Sequence, residues 1–457
     1  MKQLTIFVLC VFAFSAQAQT QQLSLEKALS MAMQQNADVT NAALDVQGSK
    51  EEVKSIIATG LPQISATGNF THNVQIAAQQ LPDFISPAVY GVLIQEGLLT
   101  PDKFQAGQPQ TVQFGAPSSI TAMANLNQLL FDGTYFLGLK AAKQYVKMSE
   151  LVQENTEITV SNTVKKAYYA ALITGQNADL LQESLVNLNK TLKETKAMYD
   201  AGFVEKLDVD RLEFAKSNLE TQINNIQVQK QIMMYMLKVS IGMDVNTPIE
   251  LTEELVLPGT IEANNYSVDS RIETKIIQQK MVLDSLNIKR YKVGYYPSLR
   301  LNASYQQNTF AESAEFQGLG NTWNPGTWYG INLSVPIFDG FYKKAKISQA
   351  KVEYAKDKNT LQNTRNQLMY QVEQARLNLE IKKRNLENQE KNKALAAEIY
   401  KTSKIKFDEG VGSSFELIQA ETDKTDAEVA YSNALYELIV AFIDLETALG
   451  TSQPTIK

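Results

Sequence analysis

The 457-residue chain has one cysteine and one histidine. Disulfide frameworks, Cys/His zinc centres and Ser-His-Asp triads are therefore close to excluded. Basic and acidic residues number 43 and 49, and the resulting charge of −6 argues against a nucleic-acid partner. Neither paired carboxylates in a cleft nor phosphate-cradling glycines stand out, so we expect no enzyme, no cofactor and no metal site.

The first 18 residues have the pattern of a secretory signal peptide. Lys2 precedes an apolar run over 4–14, and the small residues ending at Ala18 predict cleavage there. The run is too short for a spanning helix, which needs about 20 residues. A lipid anchor on Cys10 is the disfavoured alternative, because the residues before it are not small. We predict an exported protein whose mature chain has no cysteine.

An internal repeat is the strongest signal in the sequence. The Phe-Asp-Gly triplet at 131–133 returns at 338–340, and Gly202, which follows Tyr-Asp-Ala, returns 208 residues later as Gly410 after Phe-Asp-Glu. We therefore predict a tandem duplication. The predicted organisation is a signal peptide (1–18), a first repeat (19–242), a linker (243–267) and a second repeat (268–457).

Each repeat contains two segments in which apolar and polar residues alternate. This alternation predicts strands with one apolar face and one polar face. Each segment is about 10 to 13 residues long, enough for a tilted strand to cross a bilayer. After the signal peptide no apolar run reaches 18 residues, so no spanning helix is predicted. The four strands are expected near 62–70, 119–130, 298–305 and 329–337.

A long proline-free segment follows each triplet and predicts a helix of about 65 residues, on the order of 100 Å. In the second repeat, apolar positions step by seven from Ile347 to Leu368 and then by four to Val372. Val160 and Val164 carry the same four-residue stutter in the first repeat. Heptads interrupted by a stutter indicate coiled-coil packing with a local unwinding of the supercoil.

Glycines at 202 and 410 predict the ends of these helices. Returning helices are expected over 205–241 and 413–449, so that each repeat forms a helical hairpin. An earlier helix is predicted in each repeat, over 25–59 and 268–293.

Four strands cannot close a barrel, and open sheet edges are not tolerated in lipid. About eight strands are the practical minimum for a bacterial barrel. Two copies of the chain would supply eight strands and three copies would supply twelve. The residues alone predict an oligomer and leave its copy number open.

The chain resembles the TolC-type outer-membrane efflux proteins. The resemblance covers the mature chain and is carried by the duplication, the strand pairs, Val-Pro-Ile-Phe-Asp-Gly at 335–340 and the glycine-centred tips at 199–204 and 407–412. It implies an α+β membrane channel built as a homotrimer. Four strands per chain would enter a shared 12-strand barrel in outer-membrane lipid, and the long coiled-coil hairpins would form an α-barrel tunnel in the periplasm. Residues 243–267 would cross the tunnel's waist.

The implied function is a passive exit duct of a tripartite efflux pump or a type I secretion system. A periplasmic adaptor (membrane-fusion) protein would open the duct, and an RND or ABC transporter of the inner membrane would act with it indirectly. By position, the adaptor-docking tips are Gly202, Phe203, Val204, Gly410, Val411, Gly412 and Ser413.

The resemblance also places acidic residues at the periplasmic entrance. Glu416 matches the first of two acidic positions that narrow this entrance, while Gln419 stands at the second. Asp208 and Asp210 lie in the matching stretch of the first repeat. A ring of such carboxylates would favour cations. Near a helix N-terminus, aspartate also stabilises the helix dipole without any role in a pore.

Two rival interpretations remain at this point. One is a periplasmic coiled-coil scaffold or adaptor without a barrel, and the other is a secreted adhesin, which leaves the duplication unexplained. The sequence does not specify the cargo, because a duct selects little and the choice belongs to the inner-membrane transporter.

Overall fold

The computed structural model describes residues 21–103, 107–113, 115–253, 255, 259, 266–311 and 323–452. The predicted signal peptide and part of the predicted linker lie outside the described residues. The chain forms two compact units. Unit 1 contains the segments up to Glu51, Ala141–Ser285 and from Gln349 onward, and unit 2 contains Glu52–Lys140 and Leu286–Ser348.

The described chain is mostly helical, with a smaller share of sheet. Among its helices, none combines the length and the apolar character that crossing a membrane requires. In chain order the elements are β1 (Gln21–Leu23), α1 (Leu25–Gln35), α2 (Ala37–Thr59), β2 (Gln63–His72), β3 (Ala78–Leu81), α3 (Ile85–Gln95), β4 (Gln110–Gln113), β5 (Ser118–Phe131), α4 (Gly133–Asp200), α5 (Lys206–Ile241), β6 (Ile249–Leu251), α6 (Ile272–Val293), β7 (Ser298–Ala311), β8 (Asn324–Ser334), α7 (Tyr342–Asp408) and α8 (Ser414–Leu449).

Unit 2 contains an antiparallel sheet in the order β2-β5-β7-β8, so the four predicted strands are confirmed. Three boundaries were wrong: β7 continues to Ala311 and not only to about Tyr305, and β8 begins at Asn324 and ends at Ser334, where 329–337 was predicted. Pro336 has no N–H with which to continue the ladder, which accounts for the early end. The loop between β2 and β5 also holds the hairpin β3–β4 and helix α3, which the alternation pattern did not predict.

The register of this sheet places most of its apolar side chains on one face and most of its polar side chains on the other, with Trp328 as an exception. Directly opposed residues of an antiparallel pair share a face, and the next residues along each strand point to the other face. One row of opposed residues is Ile64, Leu126, Ala303 and Tyr329, and the adjacent row is Ser65, Asn125, Ser304 and Trp328. Ile64 and Tyr329 are 78% and 83% exposed in the single chain. The sheet therefore presents a largely apolar face that nothing in the described chain covers.

Two long helical hairpins, α4–α5 and α7–α8, dominate unit 1, and the predicted returning helices are confirmed. The stutter residues are buried in both: Val160 and Val164 in α4, and Leu368 and Val372 in α7. Other members of the heptad rows, such as Tyr354, stay exposed in the single chain. Each row therefore packs within the chain only along part of its length.

The predicted single helix over 25–59 was wrong, because Asn36 interrupts it and separates α1 from α2. The backbone of Asn36 is extended, with ψ of 131°. Its side chain accepts a hydrogen bond from the Asp38 N–H and donates one to the Ser240 carbonyl at 2.8 Å. These bonds stabilise the break and cap the start of α2.

The main core of unit 1 lies where α1, α4 and α5 meet a small parallel sheet of β1 and β6. Leu237, Ile241 and Tyr168 are fully buried there, and the Tyr168 hydroxyl donates to the Leu23 carbonyl at 2.9 Å. Strand β6 falls within the predicted linker, so that segment contributes to the core. Buried Arg271 donates to carbonyls in the last turn of α8, groups that a helix end leaves without partners.

Candidate functional site at the hairpin tips

Both hairpins of unit 1 turn through the same backbone motif. After α4, Gly202 adopts φ of 79°, its N–H donates to the Tyr199 carbonyl, and the Phe203 N–H donates to the Met198 carbonyl. This pair of bonds defines a Schellman motif, in which a left-handed glycine satisfies the last helical carbonyls.

The second tip repeats this geometry at Gly410, whose φ is 75°. Its N–H donates to the Phe407 carbonyl at 3.0 Å, and the Val411 N–H donates to the Lys406 carbonyl at 2.9 Å. A side chain at either glycine would be strained in this left-handed backbone. The two tips are therefore sharp turns of fixed form.

The returning helices begin with different caps. Glu205 and Asp208 form a capping box at the start of α5, in which the Glu205 N–H donates to Asp208 Oδ2 at 3.3 Å. At the start of α8, Ser413 Oγ accepts a hydrogen bond from the Glu416 N–H at 3.2 Å. Both caps satisfy N–H groups that a helix start leaves unpaired.

A side-chain bond joins the two tips to each other. Ser414, which is buried at the start of α8, donates its hydroxyl proton to Asp208 Oδ1. Asp208 thus binds both its own helix start and the neighbouring hairpin. Sequence reasoning treated Asp208 as a pore acid and missed this bond. The only available signal was that the two residues follow equivalent glycines.

Apolar side chains are exposed on the tips. Phe203 and Val411 are 82% and 79% exposed, and Phe415 in the first turn of α8 is 55% exposed. The Arg211 guanidinium lies 5.4 Å from the centre of the Phe415 ring. Val204 and Gly412 are half-buried behind them. Such a cluster at the end of a helical pair is the kind of surface that marks a protein contact.

The three predicted constriction acids have different surroundings. Glu416 is exposed, Asp210 is exposed and lies 4.0 Å from Lys206, and Asp208 is half-buried in the bonds described above. Their role at a pore stays a prediction. Among the described residues, no group of three or more His, Cys, Asp and Glu side chains could hold a metal ion.

A cavity of about 340 Å³ lies between α4, α5 and α8, and it reaches the tips, where Phe415 and Arg211 line it. The buried carboxylate of Glu421 lines it, and Glu421 also raises the pKa of Tyr400, an effect second to burial of that phenol. Burial and the nearby Asp423 raise the pKa of Asp426, which also lines the cavity. No sequence pattern predicts this cavity, because it depends on how three helices pack.

The described chain thus combines two long antiparallel helical hairpins with a four-stranded antiparallel sheet. The family model described as outer membrane efflux protein matches residues 28–242 and 286–451. The chain therefore belongs to the outer membrane efflux protein family, and it serves as an outer-membrane exit duct of an efflux pump.

Curated relatives and solved structures agree with this membership. Nodulation protein T of Rhizobium leguminosarum bv. trifolii is 21% identical over 393 residues, which cover 83% of this chain and 79% of that protein. Outer membrane efflux protein BepC of Brucella suis is 27% identical, with 72% of each chain covered. The CmeC outer membrane channel of Campylobacter jejuni superposes with a TM-score of 0.71 at 17% identity, covering 95% of this chain and 87% of that one. These likenesses do not favour a periplasmic scaffold without a channel.

Proposed function

We propose that three copies of this chain form one closed β-barrel in the outer membrane. The observation that carries the proposal is the register of the sheet, which gathers apolar side chains on one face and polar side chains on the other. A barrel wall needs this division, because its outer face contacts lipid and its inner face contacts water. An antiparallel sheet in a water-soluble protein would instead bury its apolar face against other elements of the protein.

The two outer strands of the sheet support closure between copies. Three successive antiparallel pairings make β8 run opposite to β2. Strand β8 of one copy is thus able to pair with β2 of the next and keep the antiparallel alternation around the ring. Closure removes edges that would be unsatisfied in lipid. Three copies supply twelve strands.

The helical hairpins would continue the barrel as a periplasmic tunnel. Helix α4 has 68 residues, which corresponds to a length of about 100 Å. With four long helices from each chain, three copies would build a wall of twelve. We also propose that the two halves arose by tandem duplication. The equal lengths of α5 and α8, 36 residues each, and the equivalent tips at Gly202 and Gly410 support this origin.

The tips would form the periplasmic entrance. Their exposed apolar residues, Phe203 and Val411, suit docking of an adaptor protein, and Glu416 with Asp208 and Asp210 would set the charge at the constriction. An adaptor that separates the two hairpins of a chain would break the bond between Ser414 and Asp208. In this scheme an inner-membrane transporter, of the RND or the ABC type, loads the cargo.

The test is the mass of the mature protein purified in detergent from the outer-membrane fraction, by light scattering with the detergent contribution subtracted. We expect the mass of three chains. The mass of two chains would contradict the twelve-strand barrel and support an eight-strand one. A single chain that stays soluble without detergent would overturn the channel itself.

A further inference from the structure

Aromatic side chains are exposed at the end of the sheet where the strands of unit 2 connect to helices. Ile337 and Phe338, which follow β8, are 94% and 76% exposed, and Phe341 is 65% exposed. Tyr295 and Tyr296, just before β7, are exposed as well. The pairing of Ser298 with Ser334 brings these two segments to the same end of the sheet. We call this patch the junction surface.

Cationic side chains lie over rings of the junction surface and over the neighbouring rings of Tyr291 and Tyr342, and we include these residues and their cations in the junction surface from here on. The ammonium groups of Lys343, Lys344 and Lys346 lie 5.3 Å, 5.9 Å and 5.7 Å from the ring centres of Tyr295, Phe341 and Tyr342. Arg290, at the end of α6, lies 5.1 Å from the ring of Tyr291. Each contact places a positive charge against a ring face, which is a favourable arrangement.

This concentration of positive charge departs from the rest of the chain. The described residues over 286–311 and 323–348 include seven lysines and arginines but one acid, Asp339, whereas the whole chain carries −6. Asp339 pairs with Lys343 at 3.1 Å. Lys289, Lys292 and Lys344 are exposed. The junction surface therefore combines exposed rings with a net positive charge.

The order of side chains along the chain matches the layers of a bilayer. Leu333 belongs to the apolar face of β8, the aromatic residues follow it, and the lysines come last, at the start of α7. Hydrocarbon, interface and headgroup regions select apolar, aromatic and basic side chains in that order. We infer that the junction surface binds the phosphate groups of anionic phospholipids in the leaflet that faces the helices.

This inference rests on the proposed function, because it requires the sheet to lie in the membrane. The first half of the chain serves as an internal comparison. After its triplet at 131–133 come Tyr135 and Phe136, and the next cation is Lys140. The first half thus has the rings without the cluster of lysines. An anionic phospholipid would contact both the exposed rings and the lysines of the junction surface. A free anion would contact the lysines alone.

The experiment is native mass spectrometry of the detergent-solubilised oligomer with added phosphatidylglycerol or phosphatidylcholine of identical acyl chains. The test variant is K292Q/K344Q, and the control is K383Q/K391Q, which removes two exposed lysines from the middle of α7. A lysine near an anionic lipid surface contributes roughly a fivefold gain in binding. We expect the test variant to bind phosphatidylglycerol at least tenfold more weakly than the native chain, with the control unchanged.

Equal binding of the two lipids, or an unchanged test variant, would overturn the inference. Competition by millimolar inorganic phosphate would instead show a site for free anions, and it would equally remove the lipid assignment. The same spectra report the number of chains. A single chain means that the proposed function fails, whereas an intact oligomer without lipid preference means that this inference alone fails.

Discussion

The two units of this chain differ in how much apolar surface they cover within a single chain. Unit 1 has a buried core, in which Leu237, Ile241 and Tyr168 are fully enclosed, although other apolar residues of its long helices, such as Ile381, stay exposed. Unit 2 leaves Ile64, Tyr329 and their neighbours exposed along a continuous face. The buried apolar clusters found among the described residues lie in unit 1. Under the proposed function the exposed face of unit 2 contacts lipid, so the comparison is between a region that packs within one chain and a region that meets the membrane.

The largest effect is expected from a charge on the apolar face of the sheet. Arginine in I64R would have to enter lipid, at a cost of about 2–4 kcal/mol per copy near the bilayer midplane. We expect I64R to be lost from the outer-membrane oligomer. The matched control is S65R, the next residue along β2, which points to the polar face. Equal assembly of the two variants, measured by membrane fractionation, would contradict the assignment of faces.

Truncation in the core of unit 1 should have an effect of similar size on each chain, without the loss of the oligomer. Leu237 is fully buried, so L237A should leave a cavity and lower the free energy of unfolding by about 2–5 kcal/mol. Leu333, on the apolar face of β8, is 62% exposed, so L333A should have a much smaller effect on helix stability. Thermal unfolding in detergent, followed by circular dichroism, measures both. Similar melting temperatures for the two variants would contradict the prediction that Leu237 contributes much more to stability than Leu333.

An acid pair, buried Asp357 and half-buried Asp284, makes unit 1 sensitive to pH. Burial, together with the adjacent Asp357, raises the pKa of Asp284 to about 6. Lys280 pairs with Asp357 at 2.7 Å and opposes this shift, while Glu353 adds to it. Asp284 should therefore be largely protonated below pH 6 in the folded chain.

The sign of the pH effect follows from this raised pKa. The ordinary pKa of Asp284 in an unfolded chain is 3.8, so the stability gained from its protonation in the folded chain is complete below that pH and is lost as the pH rises through about 6. D284N should remove this dependence and raise stability at pH 7.5 by on the order of 2 kcal/mol. Melting temperatures of the native chain and of D284N, measured at pH 5 and pH 7.5, test this prediction. The control is D45N, which changes an exposed aspartate on α2. A native protein that melts at the same temperature at both values would refute the prediction.

A smaller effect is expected at the bond between the tips. S414A removes the hydroxyl that donates to Asp208, a loss of about 1 kcal/mol. In planar bilayers the variant channel should open more often than the native one. The control is S217A, an exposed position on α5. Unchanged gating in S414A would show that this bond does not hold the entrance closed.

The smallest effect concerns charge at the entrance. E416Q should reduce the preference for cations, because Glu416 is exposed and a carboxylate ring favours them. D210N should reduce it less, since Lys206 already lies beside Asp210. Reversal potentials in a potassium chloride gradient measure the preference. If E416Q left the reversal potential unchanged, Glu416 would not line the constriction.

Periodicity and glycine position in the sequence determined much of this protein. Alternation over the four strands, the stutters at Val160–Val164 and Leu368–Val372, and the stops at Gly202 and Gly410 are local features. Local backbone and side-chain preferences are sufficient to produce them. Where a distant partner decided the outcome, sequence reasoning failed: Asn36 breaks a helix because it bonds to Ser240, more than 200 residues away.

Only the tertiary structure decided which side chains meet. The bond between Ser414 and Asp208, the cavity beside Glu421 and the cations over the rings of the junction surface each join segments that no local pattern connects. The sequence predicted strands with one apolar face, but the register of β2, β5, β7 and β8 aligned those faces into one surface. The physical reason is that a strand's pattern sets its own two faces, whereas pairing sets which faces combine.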